Sequence, residues 1–338
     1  MSKKVSLKDI ATKVGVSTAT VSYVLNGLEK EKRVGVEIAK KIKDAARELN
    51  YMPNQIARSL RKGSTNTIGL IVADIANPFF GQLARIVEDE AIKHNYTVIF
   101  GSSDEDCVKS EALIDTFVNR QVDGFIIVPS EGCKSQINSL ISREVPCVLI
   151  DRYMPQLNTS YVVLDNFSAV YHAVTHLVEK GHRRIHMVAY ENSLIHMSER
   201  IRGYQEAMIV HQIEKEIHVE KIAYNLTRNE TEQIIGDMLM DRKSDALIFA
   251  TNALSIAGLY AVKNIQKKVP EELALIGFDG NEAFDFFESP LTYIKQPLEQ
   301  MGRESVRILL AEMKETTKKK QHVQLESQLI MRASSGSF

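Results

Sequence analysis

The stretch VSLKDIATKVGVSTATVSYVLNG, residues 5–27, decides how the chain begins. Ser6 stands where a hydroxyl caps a helix, with the acid Asp9 in the first turn. Leu7, Ile10, Ala11 and Val14 then recur on one face. Gly15 breaks the run, Ser17 is placed to cap a second helix with Val21, Val24 and Leu25 as its apolar positions, and Asn26-Gly27 ends it. Helix, short glycine-containing turn and helix form the unit that lays its second helix in a DNA major groove. On that helix Ser17, Thr18, Thr20, Ser22, Tyr23 and Asn26 offer hydroxyls and an amide to phosphates and base edges, while Ala19 is small enough for close approach. Taken alone, the same residues also suit a Ser/Thr-rich surface helix in a generic bundle.

Outward from this unit, a third helix over about residues 36–49 presents Ile38, Ala39, Ile42, Ala45, Ala46 and Leu49 at helical spacing, so three short helices can share one small core. Pro53 fits the first position of a further short helix, residues 53–61, and Lys62-Gly63-Ser64-Thr65-Asn66 reads as a linker. A helix of about eight residues is shorter than the roughly 12–15 that hold alone in water, so it is expected to fray until a partner orders it. Charge divides at the same place. Residues 1–62 carry 14 Lys/Arg against 6 Asp/Glu, and the remainder 28 against 37. A basic module fused to an acidic body is the footprint of a nucleic-acid reader attached to something with another task.

With 338 residues the chain has room for two or three domains, and 44% hydrophobic with 25% charged residues is the balance of a folded globular protein rather than a disordered one. No apolar run reaches the roughly 18–20 residues of a membrane span, and the start MSKKVSLKDIATKVGV lacks a secretory h-region, which sets the expectation of a cytoplasmic protein without membrane contact. Cys107, Cys133 and Cys147 are odd in number, widely spaced and never CxxC, so they read as reduced, mostly buried thiols rather than a disulfide framework or zinc cluster.

From residue 68 onward β-rich runs alternate with helical stretches, at 68–73, 97–100, 124–128, 147–150, 161–164, 185–189, 246–250 and 274–278. Such alternation predicts an α/β body of doubly wound parallel sheet, whose ligands bind in the crevice beyond the carboxyl ends of the strands. The polar residues at those ends are Asp74, Asp151, Asn252 and Asp279, a set of acceptors and mixed donors suited to a polyhydroxylated ligand. Phe79 and Phe80, after an Asn77-Pro78 helix start, offer an apolar face. Arg200, within SERIRGY, adds a fork able to hold vicinal hydroxyls or a carboxylate. His196 is open between a ligand contact and a loop position. His172 and His176, at i and i+4, lack the Glu of HExxH and read as a solvated helix face rather than a metal site.

Together with ELNYMPNQIARSL, IGLIVADIANPFF, GHRRI at 181–185, VPEELALIGFD at 269–279 and LTYIKQP at 291–297, the opening stretch resembles the lactose-repressor/galactose-repressor (LacI/GalR) family of transcriptional regulators over nearly the whole chain. The resemblance implies a helix-turn-helix head with hinge helix over residues 5–62, a linker at 63–67, and a two-lobed, periplasmic-binding-protein-like body over 68–334. Its first lobe would take about 68–165 and 297–322, and its second about 166–294 and 323–334. It also implies Thr18, Ala19 and Tyr23 as base readers, Ser17, Thr20, Ser22 and Asn26 nearer phosphates, and Asn54, Ala57, Arg58 and Leu60 in the hinge, with Leu60 as a minor-groove wedge. The effector residues it implies are Asp74, Phe80, Asp151, Arg200, Asn252, Asp279 and Gln296. The expected partners are a pseudo-palindromic double-stranded operator, a sugar or sugar derivative as effector, with a nucleobase as the alternative that Phe79 and Phe80 leave open, and a second copy of the chain, with no cofactor and no metal. RASSGSF at the end carries no leucine heptad, which favours a dimer.

Departures from the family pattern are Tyr23 where some members have Arg, a longer charged loop at 28–33, Ala253 after Asn252, and Gly280 after Asp279. The alternatives are a solute-binding protein of the same two-lobed fold, which would need a signal peptide and no head, and an enzyme, for which no GxSxG or P-loop motif appears. The expected activity is therefore regulation of transcription, repression in most members of the family, without catalysis.

Overall fold

The computed structural model describes residues 5–51, 63–314 and 319–336, and divides into a head and a body with the boundary at residue 65. In the head, α1 (Leu7–Val14) starts in a full capping box: the Ser6 hydroxyl accepts from Asp9 N, and the Asp9 carboxylate accepts from Ser6 N at 2.8 Å. Gly15, at φ +76°, closes it in the left-handed region that a side chain would disfavour. Ser17 caps α2 (Thr18–Leu25) by accepting from Thr20 N at 3.1 Å, and α3 (Val36–Glu48) crosses both. Ile10, Ala11, Val21, Val24, Ala39, Ile42, Ala45 and Ala46 form the core. Ile38, expected in that core, is 42% exposed, because the buried stripe of α3 runs through 39, 42 and 46 and leaves 38 at its edge.

The body holds two six-stranded sheets. Its elements run β1 (Thr67–Val72), α4 (Pro78–Lys93), β2 (Thr97–Ser102), α5 (Cys107–Asn119), β3 (Gly124–Ile127), α6 (Lys134–Ser142), β4 (Cys147–Asp151), β5 (Ser160–Leu164), α7 (Asn166–Glu179), β6 (Ile185–Tyr190) and α8 (Ile195–Val210). There follow β7 (Val219–Ile222), α9 (Arg228–Asp241), β8 (Ala246–Phe249), α10 (Asn252–Asn264), β9 (Ala274–Phe278), the short α11 (Ala283–Phe286), β10 (Thr292–Lys295), α12 (Leu298–Met313), β11 (His322–Leu325) and β12 (Gln328–Ile330). Strand order is β11-β5-β4-β3-β1-β2 in the first sheet, all parallel, and β12-β10-β9-β8-β6-β7 in the second, where only β12 is antiparallel. The eight strands expected from the sequence are present; β7, β10, β11 and β12 are additional.

Side-chain alternation explains the layering. Ile68, Leu70 and Val72 of β1, with Ile126 of β3 and Val148 of β4, face Leu83, Val87, Met301 and Leu309 of α4 and α12. Ile71, Phe125, Ile127 and Leu149 face Ile114, Phe117, Ile137 and Leu140 of α5 and α6. Both faces of the sheet are covered, so its strands read as continuous apolar runs. The second lobe is built the same way around Met187, Leu247, Phe249 and Ile276.

The chain crosses between lobes after β5, after β10 and after β11. The third crossing corrects the expected boundary at 322/323: residues 322–325 pair in register with 161–164 and belong to the first lobe, and only β12 joins the second sheet. Four residues are too few for a sequence pattern to show which sheet they join. His176 corrects another expectation. Its face of α7 is covered by the C-terminal turn, where its Nε2 lies 2.9 Å from Ser335 Oγ, and burial lowers its pKa, with Lys180 adding to the effect. No helix among the described residues is long and apolar enough to cross a membrane.

Helices α7 and α8 approach closely at Gly203, where a Cβ would stand 2.3 Å from the Phe167 carbonyl oxygen, a backbone atom that cannot swing aside. Gly203→Ala should therefore cost about 1–3 kcal/mol, read as a lower urea midpoint at an unchanged m-value.

Candidate functional site

Between the carboxyl ends of the two sheets lies a cavity of about 480 Å³. All seven expected effector residues line it, although they come from six separate stretches of chain. Asp74 follows β1, and Asn77 caps α4 by accepting from Phe79 N, which sets Phe79 and Phe80 on the wall with their rings edge to face at 4.9 Å. Asp151 ends β4 and Asp279 follows β9, both in the left-handed region at φ 69° and 60°. Such backbone is costly outside glycine, and both residues adopt it where they line the cavity. Arg200 comes from α8, Asn252 opens α10 behind its cap Thr251, and Gln296 sits at the second crossing.

Two arginines organise the charges. Arg200 is buried, donates from Nε to Asn166 Oδ1 at 2.7 Å and from Nη1 to the Ala250 carbonyl at 2.5 Å, and lies 3.6 Å above the Phe278 ring. Burial lowers its pKa to about 10 despite Asp279 and Asp151, so the guanidinium stays charged at neutral pH. Arg152 is held in a fork by Glu105, at 2.8 Å on each arm, and reaches Asp151 Oδ2 at 3.2 Å. Burial opposes its charge, but the two carboxylates outweigh burial and raise its pKa. Asp279 goes the other way: burial raises it to about 6 in spite of Arg200 and the bond it accepts from Gln296 Nε2 at 2.9 Å.

Three buried polar atoms of the lining have no hydrogen-bond partner among the described residues: His196 Nδ1, Asn252 Nδ2 and Gln296 Oε1. His196 belongs to the first turn of α8 rather than to a loop, and burial beside Arg152 and Arg200 keeps its ring neutral. The cleft thus presents an amide donor, an amide acceptor and an imidazole nitrogen of either role, each costly to leave unpaired. Opposite the phenylalanines, Tyr190 and Tyr224 make a second aromatic wall, 5.1 Å apart.

Sequence reasoning missed Glu105, Arg152, Tyr190, Asn192, Tyr224, Thr251 and Asn281 on this lining. Arg152 and Tyr190, at or just past the ends of β4 and β6, could have been found by the strand-end rule; Glu105 and Tyr224 carry no comparable signal. In the head, Ser17, Thr18 and Ala19 are exposed, and Thr20, Ser22, Tyr23 and Asn26 are half-buried on or beside α2. Part of their polar capacity is used locally: the Ser17 and Thr20 hydroxyls lie 2.9 Å apart, and Asn26 Nδ2 donates to Ser22 O at 2.6 Å. Asn54, Ala57, Arg58 and Leu60 lie outside the described residues.

Residues 6–54 match the family model of the bacterial regulatory proteins, lacI family, and residues 174–335 that of the periplasmic binding protein-like domain. The chain is 31% identical to the probable HTH-type transcriptional regulator EndR of Paenibacillus polymyxa, over 90% of this chain and 89% of that protein. It is 30% identical to the HTH-type transcriptional repressor CytR of Escherichia coli strain K12, over 91% and 89%. A solved structure of the transcriptional regulator CelR in complex with cellobiose is similar at 26% identity and a TM-score of 0.72, over 98% of this chain and all of that one.

The Asp279 carboxyl binds its proton more tightly in the folded chain than in the unfolded one, so stability falls as pH rises from about 4 to about 6. Relative to Asp279→Asn, the wild type should lose up to about 3 kcal/mol across that window, measured by urea unfolding of both proteins at each pH.

Proposed function

Since the chain belongs to the LacI family of bacterial regulatory proteins, we propose that it is a homodimeric, sequence-specific transcriptional repressor working in the cytoplasm, whose operator affinity is set by a small molecule held between its lobes. The observation that carries this reading is the convergence of Asp74, Phe80, Asp151, Arg200, Asn252, Asp279 and Gln296 on one interlobe cavity, in a chain that also bears a basic helix-turn-helix head. A solute receptor of the same two-lobed fold has no use for such a head.

The effector is a neutral sugar or sugar derivative. Both buried arginines of the cleft donate to protein acceptors, and Arg228, a third arginine of the lining, is paired with Glu232 at 3.0 Å, while Asp74, Asp151 and Asp279 bring three carboxylates to the same cavity, a balance that favours a neutral ligand over an anion. Hydroxyls, which donate and accept, suit the carboxylates and the three unpartnered polar atoms, and the cavity falls within the roughly 300–1,000 Å³ of small-molecule sites. That the similar CelR structure holds cellobiose supports the same class. The ligand acts by binding the open and closed lobe arrangements with different affinity, the three crossings serving as the hinge.

In the head, Thr18, Ala19 and Tyr23 read bases, Ser17, Thr20, Ser22 and Asn26 sit nearer the phosphates, and Asn54, Ala57, Arg58 and Leu60 serve the hinge, with residues 5–62 as the DNA-binding domain and 63–67 as linker. Dimerisation is supported by apolar surface on both lobes: Phe100 is 61% exposed on the edge strand β2, and Phe286 on α11 is 88% exposed.

The test is selection of fragmented genomic DNA on the purified protein at physiological salt, with and without a pool of neutral sugars. A shared pseudo-palindrome recovered in one condition is expected; equal, salt-sensitive recovery of all fragments would overturn the reading. Asn252→Ala removes a donor that no described protein group uses together with the acceptor of Asn281 Nδ2 at 3.2 Å, so it should cost about 1 kcal/mol of stability and weaken the sugar found by that selection about fivefold, measured by urea unfolding and titration calorimetry.

A further inference from the structure

On the first lobe two thiols meet outside the cleft lining. Cys107, the first residue of α5, is half-buried, and Cys133, just before α6, is buried. Their side chains are neighbours: burial pushes the Cys133 thiol pKa up, and the nearby Cys107 adds to that rise. The surroundings fix the pair. Gln136 Nε2 donates both to the Cys107 carbonyl at 2.8 Å and to Cys107 Sγ at 3.3 Å, tying α6 to the first turn of α5. Gly132, at φ +83°, brings the loop so close that its Cβ position lies 3.6 Å from Cys107 Sγ. Cys147, by contrast, lies inside β4, packed on every side.

We propose that Cys107 and Cys133 form a peroxide-oxidisable thiol–disulfide site, in which Cys107 is the sulfur attacked first and Cys133 the resolving thiol. Cys107 is the more accessible of the two, and access decides which sulfur meets the oxidant. In the first step the Cys107 sulfur attacks one oxygen of hydrogen peroxide; the O–O bond breaks, an S–O bond forms, and water leaves with the thiol proton, giving a sulfenic acid. In the second the Cys133 sulfur attacks the Cys107 sulfur; the S–S bond forms, the S–O bond breaks, and hydroxide leaves as water with the Cys133 proton. Two thiols and one peroxide become one disulfide and two waters, the two electrons passing from sulfur to oxygen. A neighbouring thiol keeps the sulfenic acid from climbing to the irreversible sulfinic state.

Both joined segments reach the cleft. Glu105, two residues before Cys107, forks Arg152, and Glu131, two residues before Cys133, accepts from the backbone N–H of Ser193 on the second lobe at 3.0 Å and from its hydroxyl. The disulfide would bind these two rim segments to each other.

The experiment treats the reduced full-length protein with hydrogen peroxide, denatures it, alkylates it and weighs it whole and after digestion. The expected product carries a single alkyl group, on Cys147, and a peptide pair joined through Cys107 and Cys133 that dithiothreitol separates. Cys133→Ala, which keeps the apolar packing, should stop at a Cys107 sulfenic acid trapped by dimedone, while Cys107→Ser should keep both remaining thiols alkylatable. Oxidation of wild-type Cys107 to sulfinic acid with Cys133 still alkylatable, a disulfide that includes Cys147, or a crosslink between chains through Cys107 would each overturn the proposal.

Discussion

Charge withdrawn from water has to be met inside the protein, and here that demand falls on Arg152 and Arg200, one at the rim of each lobe. The desolvation cost is several kcal/mol per ion, so each guanidinium recruits partners from whatever elements it can reach. Arg200 of α8 ties the start of α7 through Asn166 and the end of β8 through the Ala250 carbonyl, and lies on Phe278 of β9. Arg152 after β4 ties the loop beyond β2 through Glu105 and reaches toward Pro129 O beyond β3 at 3.5 Å. Each arginine thus fixes three strand or helix ends at the cleft. The remaining polar side chains are placed by those ends, and Asp279, buried with them, bears a desolvation cost that Arg200 and Gln296 only partly offset.

This arrangement separates structure from recognition within one cavity. The two buried cations hold the walls, Arg228 is paired along its own helix with Glu232, and the groups left without a protein partner are amide and imidazole atoms beside two aromatic walls. A site of that kind discriminates by hydrogen-bond pattern rather than by charge, and a ligand lacking one hydroxyl leaves a buried group unpaired.

Much of this is legible in the amino-acid order alone. The capping residues Ser6 and Ser17 and the glycine at 15 are local signals, so the first helices begin and end where the sequence places them. Asp74, Asp151, Asn252 and Asp279 are legible because a parallel sheet gathers its strand ends on one edge. What escapes such a reading depends on partners far apart in the chain. Arg152 and Glu105 are 47 residues apart and have meaning only as a pair; Tyr224 lies in a loop after an edge strand; β11 is too short to reveal that it returns to the first sheet. His176 reads as solvated because the C-terminal turn that covers it is 159 residues away.

The triple crossing also orders events during synthesis. The first sheet takes its last strand in chain order from residues 322–325 and the second from residues 328–330, so neither lobe can complete its sheet until those residues have left the ribosome. The head draws its core from residues 5–51 and can close as soon as they emerge. The basic head would then be folded while the apolar strands of the body still lack their last partners, the interval in which exposed strand edges are most prone to pair wrongly.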